Sequence, residues 1–444
     1  MPEWAANKVV YQIFPSRFAA TEPVDKELWY KAPITPMDDL HGNLRGIIEH
    51  MDDIQNLGID VLYMTPIFQS NSCHKYDTTD YYQIDPSFGT TEDLKELVQK
   101  AHERGMKVVL DAVYNHTGRE FFAFADILEN GEKSKYRDWY FIDGFPLKSE
   151  WGEIPNFKCF GYYGGMPKLN LKNPEVEKYI TDVACYWIKE CDIDGWRLDV
   201  GDEISHFFWK NFRKAVKAVK KDMLIIGEIW HYAGDFLEGD EWDTVMNYPF
   251  YLNLIDLLAD EKITVSQFVQ NLGYLKGRLH KNCYPLMWNL IDSHDTARFL
   301  HLCNNNKKKQ HLAAAFQLLL PGMPMIYYGD EYAMPGANDP DCRRGMYWDE
   351  EYQDKEMYEW YKRLIQVRKS HACIVEGELA GSVTEDEEGT IVLIRKNGEE
   401  TIAMIFNCSS SAKKFNEYTQ KYNLLTENTF DGNVEGFDAA VIVL

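Results

Sequence analysis

Two charged residues, Arg197 and Asp199, lie two positions apart in the stretch Gly195-Trp-Arg-Leu-Asp199. Their alternation with Trp196 and Leu198 is typical of a short strand, so both charged side chains are expected on one face. An arginine beside a carboxylate lowers the pKa of that carboxylate and keeps it ionised at neutral pH. A carboxylate nucleophile needs this state. A structural ion pair at a strand end explains the same two residues, so the rest of the chain must decide.

Further acids and histidines, and one asparagine, lie near or after the ends of other predicted strands. They are Asp111, Asn115, His116, Glu228, His294 and Asp295. Clustered carboxylates without a metal or cofactor motif are typical of glycosidic-bond cleavage, where one carboxylate attacks and one carboxylic acid protonates the leaving oxygen. Asp199, beside Arg197, is the better nucleophile. Glu228 follows the apolar run Leu-Ile-Ile-Gly, and such surroundings are expected to raise its pKa and keep a proton ready to donate. Asp295 is the third acid, expected to bind sugar hydroxyls.

Apolar runs separated by helical periodicity indicate the elements that must hold these residues. Eight strands are predicted, at 9–15, 61–66, 107–113, 195–199, 224–228, 244–248, 286–291 and 325–328. Helices are predicted between them, among others at 44–57, ending at Gly58, at 93–102 with Thr90 or Thr91 as N-cap, and from Pro174, capped by Asn173, to about 190. This alternation favours the α/β class and a (β/α)₈ TIM barrel. Residues that end the strands then gather at one rim.

The alternation of strands and helices divides the chain into three parts. It stops after His116, and the aromatic, Gly-containing stretch that follows is too long for a structureless loop, so 117–170 is predicted to be an inserted subdomain after strand three. Residues 1–116 and 171–372 form the predicted catalytic barrel. From 373 onward, short alternating strands at 390–395, 401–406 and 439–443, with no helices, indicate a C-terminal antiparallel β-sandwich domain over 373–444.

Composition narrows the classes of partner. The net charge of −23 argues against nucleic acid or an anionic membrane surface, and 12 Trp and 27 Tyr suit stacking on sugar rings. There is no signal peptide pattern and no apolar run of about 20 residues, the length of a membrane span. Nine scattered cysteines without a Cys-x-x-Cys pair indicate neither a disulfide framework nor a zinc site. A cytoplasmic location is therefore expected.

Several blocks of the sequence resemble the ordered regions of the α-amylase family of glycoside hydrolases (family 13). They are Asp111-Ala-Val-Tyr-Asn-His116, Gly195-Trp-Arg-Leu-Asp199, Gly227-Glu-Ile-Trp230 and Ser293-His-Asp-Thr296, together with His74-Lys-Tyr-Asp-Thr78 and Gly329-Asp-Glu331. The block Met166-Pro-Lys-Leu-Asn170 resembles the marker of the neopullulanase, cyclomaltodextrinase and maltogenic amylase branch. The resemblance covers essentially the whole chain.

The resemblance implies a retaining double displacement on α-1,4 bonds, and conceivably α-1,6 bonds, of maltodextrins, cyclodextrins or pullulan. It implies Asp199 as nucleophile, Glu228 as acid/base and Asp295 as transition-state stabiliser. The substrate-binding residues that it implies are Tyr76, His116, Arg197, Trp230, His231, His294, Asp339 and Arg343. By the same resemblance, Asp111 and Asn115 are supports of the floor of the site as much as sugar contacts, and Asp77 and Asp80 are structural.

The sequence departs from the branch pattern in its first residues. Branch members usually carry an N-terminal β-sandwich that dimerises, whereas the first predicted strand here begins at Val9, so a monomer or weak homodimer is expected. The loop after strand one has few acidic oxygens, so no calcium and no other cofactor is predicted. Two alternative functions use the same chemistry and are not excluded by the sequence: an exo-acting α-glucosidase and a transglycosylase. A non-catalytic binding scaffold is disfavoured because both Asp199 and Glu228 are present.

Overall fold

Eight parallel strands close into a barrel in the computed structural model, which describes residues 1–148 and 154–444. In chain order these strands are β1 Val10–Ile13, β2 Val61–Met64, β3 Lys107–Ala112, β4 Gly195–Leu198, β5 Leu224–Gly227, β6 Thr244–Val245, β7 Trp288–Asn289 and β8 Met323–Tyr327. Each strand pairs with the next, β8 pairs with β1, and a parallel bridge between Met246 and Trp288 joins β6 to β7. The predicted (β/α)₈ TIM barrel is therefore confirmed.

Helices pack around the barrel and complete the α/β architecture. They are α1 Pro15–Phe18, α2 Lys26–Trp29, α3 Leu44–Glu49, α4 Met51–Leu57, α5 Thr91–Glu103, α6 Phe122–Asn130, α7 Pro174–Cys191, α8 His206–Val219, α9 Tyr248–Leu254, α10 Val265–Arg278, α11 Phe299–Leu302, α12 Lys307–Leu319, α13 Lys355–Ser370 and α14 Cys373–Glu376. One buried apolar cluster fills the barrel interior, and a larger one lies between the strands and the helices. Among the described residues, no helix has the length and apolarity that crossing a membrane requires.

Capping side chains fix where two of these helices begin. Thr90 accepts a hydrogen bond from the backbone N–H of Asp93, whose carboxylate accepts the N–H of Thr90 in return, which forms a capping box. Asn173 caps α7 and Pro174 occupies its first turn, as predicted. At the other end of a helix, Gly58 takes the left-handed φ of 102° and stops α4.

Some predicted bounds are wrong for local reasons. The sixth strand was expected to run to 248, but the side chain of Asn247 accepts a hydrogen bond from the N–H of Phe250 and starts α9 at Tyr248. The seventh was expected from 286, where Tyr284–Leu286 instead forms a 3₁₀ turn. The single helix expected over 44–57 is divided at His50 into α3 and α4.

An antiparallel hairpin follows β2 and was not predicted. Its strands are Phe68–Ser70 and Thr78–Ile84, and the turn between them carries Tyr76 to the rim of the barrel. The β-branched and aromatic residues of Thr78–Ile84 are the sequence signal for the second strand. The inserted stretch 117–170 contains α6, which was likewise missed, and residues 149–153 of that predicted subdomain lie outside the described part of the chain.

The C-terminal part is an antiparallel β structure. Its strands are β9 Glu378–Glu385, β10 Thr390–Asn397, β11 Glu400–Asn407, β12 Lys413–Lys414, β13 Tyr422–Asn423, β14 Asn428–Thr429, β15 Asn433–Val434 and β16 Asp438–Val443. Six of them form one sheet in the order β9-β10-β11-β16-β13-β14, and β12 pairs with β15. The predicted C-terminal β domain is confirmed. The expectation that helices end at 373 is wrong by one short element, α14.

Candidate active site

The carboxyl ends of the barrel strands bring the predicted acids to one rim. Asp111 lies near the end of β3, Asp199 directly follows β4, and Glu228 directly follows β5. Asp295 lies in the loop after β7. In parallel barrels this rim is where functional side chains from different strands meet. Residues distant in sequence are thus neighbours here because of topology alone.

Arg197 is fully buried at the centre of these acids. Its Nη1 atom lies 2.9 Å from Oδ1 of Asp199 and 3.0 Å from Oδ1 of Asp111. Its Nη2 atom lies 2.9 Å from Oε2 of Glu228 and 3.9 Å from Oδ2 of Asp295. One guanidinium therefore faces four carboxylates, and its rigid planar fork fixes their relative positions. Arg197 lies behind the site and orients it.

The carboxyl group of Asp199 has one paired and one unpaired oxygen. Oδ1 accepts a hydrogen bond from Arg197, whereas Oδ2 is buried and has no hydrogen-bond partner among the described residues. Burial raises the pKa of Asp199 well above its ordinary value; Arg197 opposes this shift, and the nearby carboxylates of Glu228 and Asp111 add to it. The expectation that Arg197 keeps this pKa low is wrong, because burial and several neighbouring acids outweigh one guanidinium.

Glu228 is held by three hydrogen-bond or charge contacts. Its Oε2 atom accepts the backbone N–H of Val200 at 2.9 Å and lies against Arg197. Its Oε1 atom accepts the indole N–H of Trp230 at 3.2 Å. The apolar residues that precede Glu228 in sequence belong to β5 and are buried in the barrel wall. The carboxyl group therefore has polar neighbours, and the apolar pocket expected from the sequence is not what surrounds it.

Asp295 completes the acidic group on the other side of the cavity. Its Oδ1 atom lies 3.2 Å from Nε2 of His294 and 3.5 Å from Nη2 of Arg343. Unlike Asp199, its side chain is about a quarter exposed, at 27%. A carboxylate so placed can reach hydroxyl groups of a sugar that enters the cavity.

Tyr76 and two histidines form a wall of the site. The ring of Tyr76 is parallel to that of His294, with centroids 5.6 Å apart, and its hydroxyl hydrogen-bonds Nε2 of His294. Nδ1 of His294 lies 2.7 Å from Nε2 of Gln12, whose N–H donates to it. Burial lowers the pKa of His294 well below its ordinary value, so the ring is neutral. Gln12 thereby places the ring proton on Nε2, the atom next to the hydroxyl of Tyr76 and the carboxylate of Asp295.

His116 lies beside Tyr76 and under an aromatic ring of the inserted stretch. Its Nε2 atom is 3.1 Å from the backbone oxygen of Tyr76 and donates to it. Burial lowers the pKa of His116 to about 3, so the imidazole is neutral. Phe160 stacks on it, with ring centroids 5.2 Å apart. The inserted stretch therefore contributes directly to the site.

Asp339 and Arg343 form an ion pair of 2.9 Å at the mouth. The Nε of Arg343 also donates to the backbone oxygen of His294 at 2.8 Å, which ties this loop to the loop after β7. Trp230, on another side, stacks on Tyr248 with ring centroids 3.9 Å apart. Its remaining surface, 42% exposed, is free to meet a ligand.

These side chains enclose a cavity of about 420 Å³. Eight of the eleven predicted site residues line it, namely Tyr76, His116, Asp199, Glu228, Trp230, Asp295, Asp339 and Arg343. Arg197 and His294 are buried behind it and contact the lining side chains. His231 is not in the cavity; its side chain is 70% exposed and lies 3.3 Å from Asp202.

Four further lining residues were not predicted as site residues: His74, Phe160, Met166 and Val200. His74 and Met166 belong to the sequence blocks already noted. Phe160 opens the aromatic run Phe160-Gly-Tyr-Tyr, a signal that composition alone does not separate from core packing. Val200 has no sequence signal, because it lines the cavity through a left-handed backbone with φ of 46°.

Asp111 and Asn115, which were expected either to support the site or to contact sugar, bind neighbouring side chains and act as supports. Asp111 accepts hydrogen bonds from the hydroxyls of Tyr63 at 2.7 Å and Tyr76 at 3.2 Å, and burial raises its pKa to about 6. Asn115 contacts Lys168, which belongs to the block Met166-Pro-Lys-Leu-Asn170.

That block fastens the inserted stretch to the barrel. The Nζ atom of Lys168 lies 2.8 Å from Oε2 of Glu203, and the N–H of Leu169 donates to the backbone oxygen of Asn115 at 3.0 Å. Asp77 accepts the hydroxyl of Ser70 at 2.5 Å within the hairpin, which is a structural role. Within residues 1–148 and 154–444, no three His, Cys, Asp or Glu side chains are grouped as a metal site would need.

The sequence of the chain matches a known protein family. The family model of the alpha-amylase catalytic domain matches residues 12–377. The chain belongs to the α-amylase family. It is therefore a glycoside hydrolase, and the acids gathered around Arg197 are its candidate active site.

Individual relatives of this glycoside hydrolase lie within the same family. The chain is 47% identical over 415 residues to a cyclomaltodextrinase of Geobacillus thermopakistaniensis, which covers 93% of this chain and 70% of that protein. It is 43% identical over 412 residues to neopullulanase 2 of Thermoactinomyces vulgaris, covering 91% and 70% respectively. The solved cyclic alpha-maltosyl-(1→6)-maltose hydrolase of Arthrobacter globiformis is 36% identical, with a TM-score of 0.91 and complete coverage of both chains.

Proposed function

We propose that this glycoside hydrolase cleaves α-1,4 glucosidic bonds of α-glucans with retention, through a glycosyl-enzyme intermediate on Asp199. One observation carries the proposal: the two terminal nitrogens of the Arg197 guanidinium each lie 2.9 Å from a carboxylate, one of Asp199 and one of Glu228. Two carboxyl groups bound to one guanidinium lie close together. This arrangement suits the separation of about 5–5.5 Å that retaining enzymes use, and leaves little room for the water of an inverting enzyme.

The chemistry assigns a separate task to each acid. Glu228 donates its proton to the glycosidic oxygen as the bond to the anomeric carbon breaks, and Oδ2 of Asp199 forms the new bond to that carbon. In the second half, Glu228 removes a proton from water, whose oxygen attacks the anomeric carbon and releases Asp199. Asp295 binds sugar hydroxyls, and these hydrogen bonds strengthen as positive charge develops on the ring.

The wall around the acids positions the sugar. The flat face of Tyr76 is a stacking surface for the ring being cleaved, and His294 and His116 beside it are neutral and add no positive charge. Arg343 and Asp339 are the groups that grip the same sugar from the mouth. A neutral, polyhydroxylated substrate fits this mixture of aromatic faces and hydrogen-bonding groups.

Maltodextrins, cyclodextrins and pullulan are the proposed substrates, and α-1,6 cleavage is a further proposed activity. The names of the relatives support them: cyclomaltodextrinase, neopullulanase, and a hydrolase of a cyclic sugar containing a (1→6) linkage. The competing activities within the same chemistry are stepwise release of glucose by an α-glucosidase and transglycosylation.

A product time course tests the proposal, with β-cyclodextrin, maltoheptaose and pullulan in separate reactions. Opening of cyclodextrin with maltose as the main product, and panose from pullulan, is the expected result. Stepwise release of glucose from maltoheptaose with cyclodextrin intact would replace it with an α-glucosidase. Asp199→Asn protein is the control for contaminating amylase, and absence of any hydrolysis by the wild-type protein would refute the proposal.

We also propose a cytoplasmic location and a monomer or weak homodimer. All nine cysteines are free thiols, some of them exposed in part, which suits a reducing compartment. The net charge of −23 argues against a nucleic-acid partner.

A further inference from the structure

A second cavity of about 420 Å³ adjoins the active site and shares Trp230 with it. It is a surface groove between the loop after β5 and the helices α9 and α10. Its lining residues are Trp230, His231, Tyr232, Pro249, Leu252, Asn253, Asp256, Asn271, Leu272, Tyr274, Leu275 and Arg278. We call it the Tyr274 groove. Trp230 lines both, so the groove and the catalytic cavity lie next to each other at this residue.

One wall of the Tyr274 groove is a stack of two tyrosines and an arginine. The guanidinium of Arg278 lies over the ring of Tyr232 at 3.9 Å and within 5.1 Å of the ring of Tyr274. The hydroxyl of Tyr232 donates to the backbone oxygen of Arg278 at 2.9 Å, and Arg278 donates to the hydroxyl of Tyr274 at 3.1 Å. Tyr274 nevertheless stays 66% exposed, so an aromatic ring in contact with Arg278 offers its surface to solvent.

The facing wall combines apolar and polar groups. Leu252 is nearly half exposed, and Asp256 is partly exposed at the start of the turn Ile255–Ala259. That turn is a π-helix, a rare conformation that is frequently found at functional sites. It extends α9 at the groove and sets the position of Asp256. Asn271 and Asn253 are joined by a hydrogen bond of 2.8 Å on the floor between the walls.

We propose that the Tyr274 groove binds glucose units of the leaving chain, beyond those that contact Trp230; this rests on the proposed hydrolysis of α-glucans. Glu228 protonates the leaving oxygen, and the indole N–H of Trp230 donates to Oε1 of Glu228, so the groove that Trp230 also lines adjoins the leaving side of the site. Fixed aromatic faces beside amide and carboxylate groups suit a neutral polyol, which stacks its C–H face and donates its hydroxyls. The occupant is a linear or branched arm of α-glucan.

The proposal predicts a dependence on chain length. A substrate with several glucose units on the leaving side reaches the groove, whereas α-maltosyl fluoride has only a fluoride ion as leaving group and cannot. Tyr274→Ala removes the exposed ring at a surface position of α10, so the variant is expected to fold. Loss of one stacking contact, about 1.4 kcal/mol, corresponds to about tenfold in kcat/KM.

The test measures kcat/KM of the wild type and Tyr274→Ala on maltoheptaose and on α-maltosyl fluoride. The expected result is a loss of about tenfold on maltoheptaose with no change on the fluoride. The matched control is Tyr422→Ala, in β13 of the C-terminal sheet. It removes a tyrosine that is 47% exposed and should leave kcat/KM unchanged on both substrates. A second variant, Leu252→Asp, alters the facing wall and should reproduce the chain-length effect.

Each remaining outcome separates this inference from the proposed function. Equal kcat/KM of Tyr274→Ala and the wild type on maltoheptaose overturns the groove assignment while hydrolysis stands. An equal loss on both substrates also overturns it, because the groove would then act on the catalytic cavity and not on the chain. If the wild type cleaves neither maltoheptaose nor the fluoride, the proposed function itself fails.

Discussion

Arg197 and Asp199 make a one-sided contact: the guanidinium binds Oδ1 of Asp199 at 2.9 Å and leaves Oδ2 without a partner. Arg197 belongs to β4 and Asp199 directly follows that strand, and both side chains lie at the rim of the barrel. Since Arg197 also binds Asp111 and Glu228, it cannot turn to cover the second oxygen. The position of Oδ2, the proposed attacking atom of Asp199, is therefore determined by the contacts of Arg197 with three carboxylates and not by the strand alone.

Asp199→Asn removes the proposed nucleophile and keeps the size of the side chain. We expect kcat on maltoheptaose to fall on the order of 10⁴-fold or more, the scale seen when one member of a catalytic group is removed. Calorimetry should still detect maltoheptaose binding, because the cavity wall is unchanged. Unchanged turnover in this variant would contradict the assignment of Asp199.

Glu228→Gln separates proton donation from nucleophilic attack. A glucan leaving group needs a proton, whereas fluoride leaves without one, so the variant should lose about 10²–10⁴-fold on maltoheptaose. Its loss on α-maltosyl fluoride should be much smaller in the first, glycosylation step, measured as a burst of fluoride release. An equal loss in that burst would show that Glu228 does not act as the acid, and Glu203→Gln, at the outer rim, is the control for charge removal.

The order of elements was readable from the sequence because each strand of a barrel is buried on both faces and each helix on one. What failed were the ends. Asn247 caps a helix where apolar residues continue the pattern of a strand, and His50 separates α3 from α4 without Gly or Pro to signal it. The hairpin strand Thr78–Ile84 was missed because its residues do not alternate between apolar and polar and its partner Phe68–Ser70 is only three residues long.

Residue types predicted the lining of the site better than they predicted its electrostatics. Glu228 could be placed because the chemistry requires a carboxylic acid, and Tyr76 because the block His74-Lys-Tyr-Asp-Thr78 resembles the family. The raised pKa of Asp199 could not, since it depends on how many carboxylates share one guanidinium. The Tyr274 groove was invisible for a similar reason, because α9 and α10 must be folded before Leu252 and Tyr274 face each other.

Tyr76 is the predicted platform for the sugar being cleaved. Tyr76→Phe keeps the ring and loses the hydroxyl that contacts Asp111 and His294, so we expect a modest loss of kcat/KM. Tyr76→Ala loses the ring as well, and the loss should exceed that of Tyr76→Phe by about tenfold, the value of one aromatic contact of about 1.4 kcal/mol. Equal losses in the two variants, measured on maltoheptaose, would show that the hydroxyl and not the ring matters.

The assembly prediction is tested by light scattering across a range of protein concentrations. A monomer or weak dimer should show a mass that rises with concentration or stays near 51.8 kDa, the mass of one chain. A dimer mass that persists at nanomolar concentration would contradict it. Thermal unfolding at the same concentrations is a second readout, because a weak dimer gives a midpoint that depends on concentration.

The acid limb of the pH profile follows from the position of Asp199. The carboxylate must be ionised to attack, and its pKa is raised by burial and by neighbouring acids. Activity is therefore fully present above this raised pKa and is lost as the pH falls through it. The acid limb of kcat/KM on α-maltosyl fluoride should lie above about pH 4, the ordinary range of a carboxyl group.

Replacing Asp111, an acid close to Asp199, tests the direction in which neighbouring carboxylates shift the pKa of Asp199. Asp111→Asn removes a carboxylate that raises the pKa of Asp199 and keeps a group that the hydroxyl of Tyr63 can bind. The acid limb should move to lower pH, even though the maximal rate also falls because Arg197 loses a partner. A limb that stays in place, or moves to higher pH, would mean that the limb reports another group. Reading the limb on the fluoride keeps the proton donated by Glu228 out of the profile, so the shift reports the titration of Asp199 together with the carboxylates that interact with it.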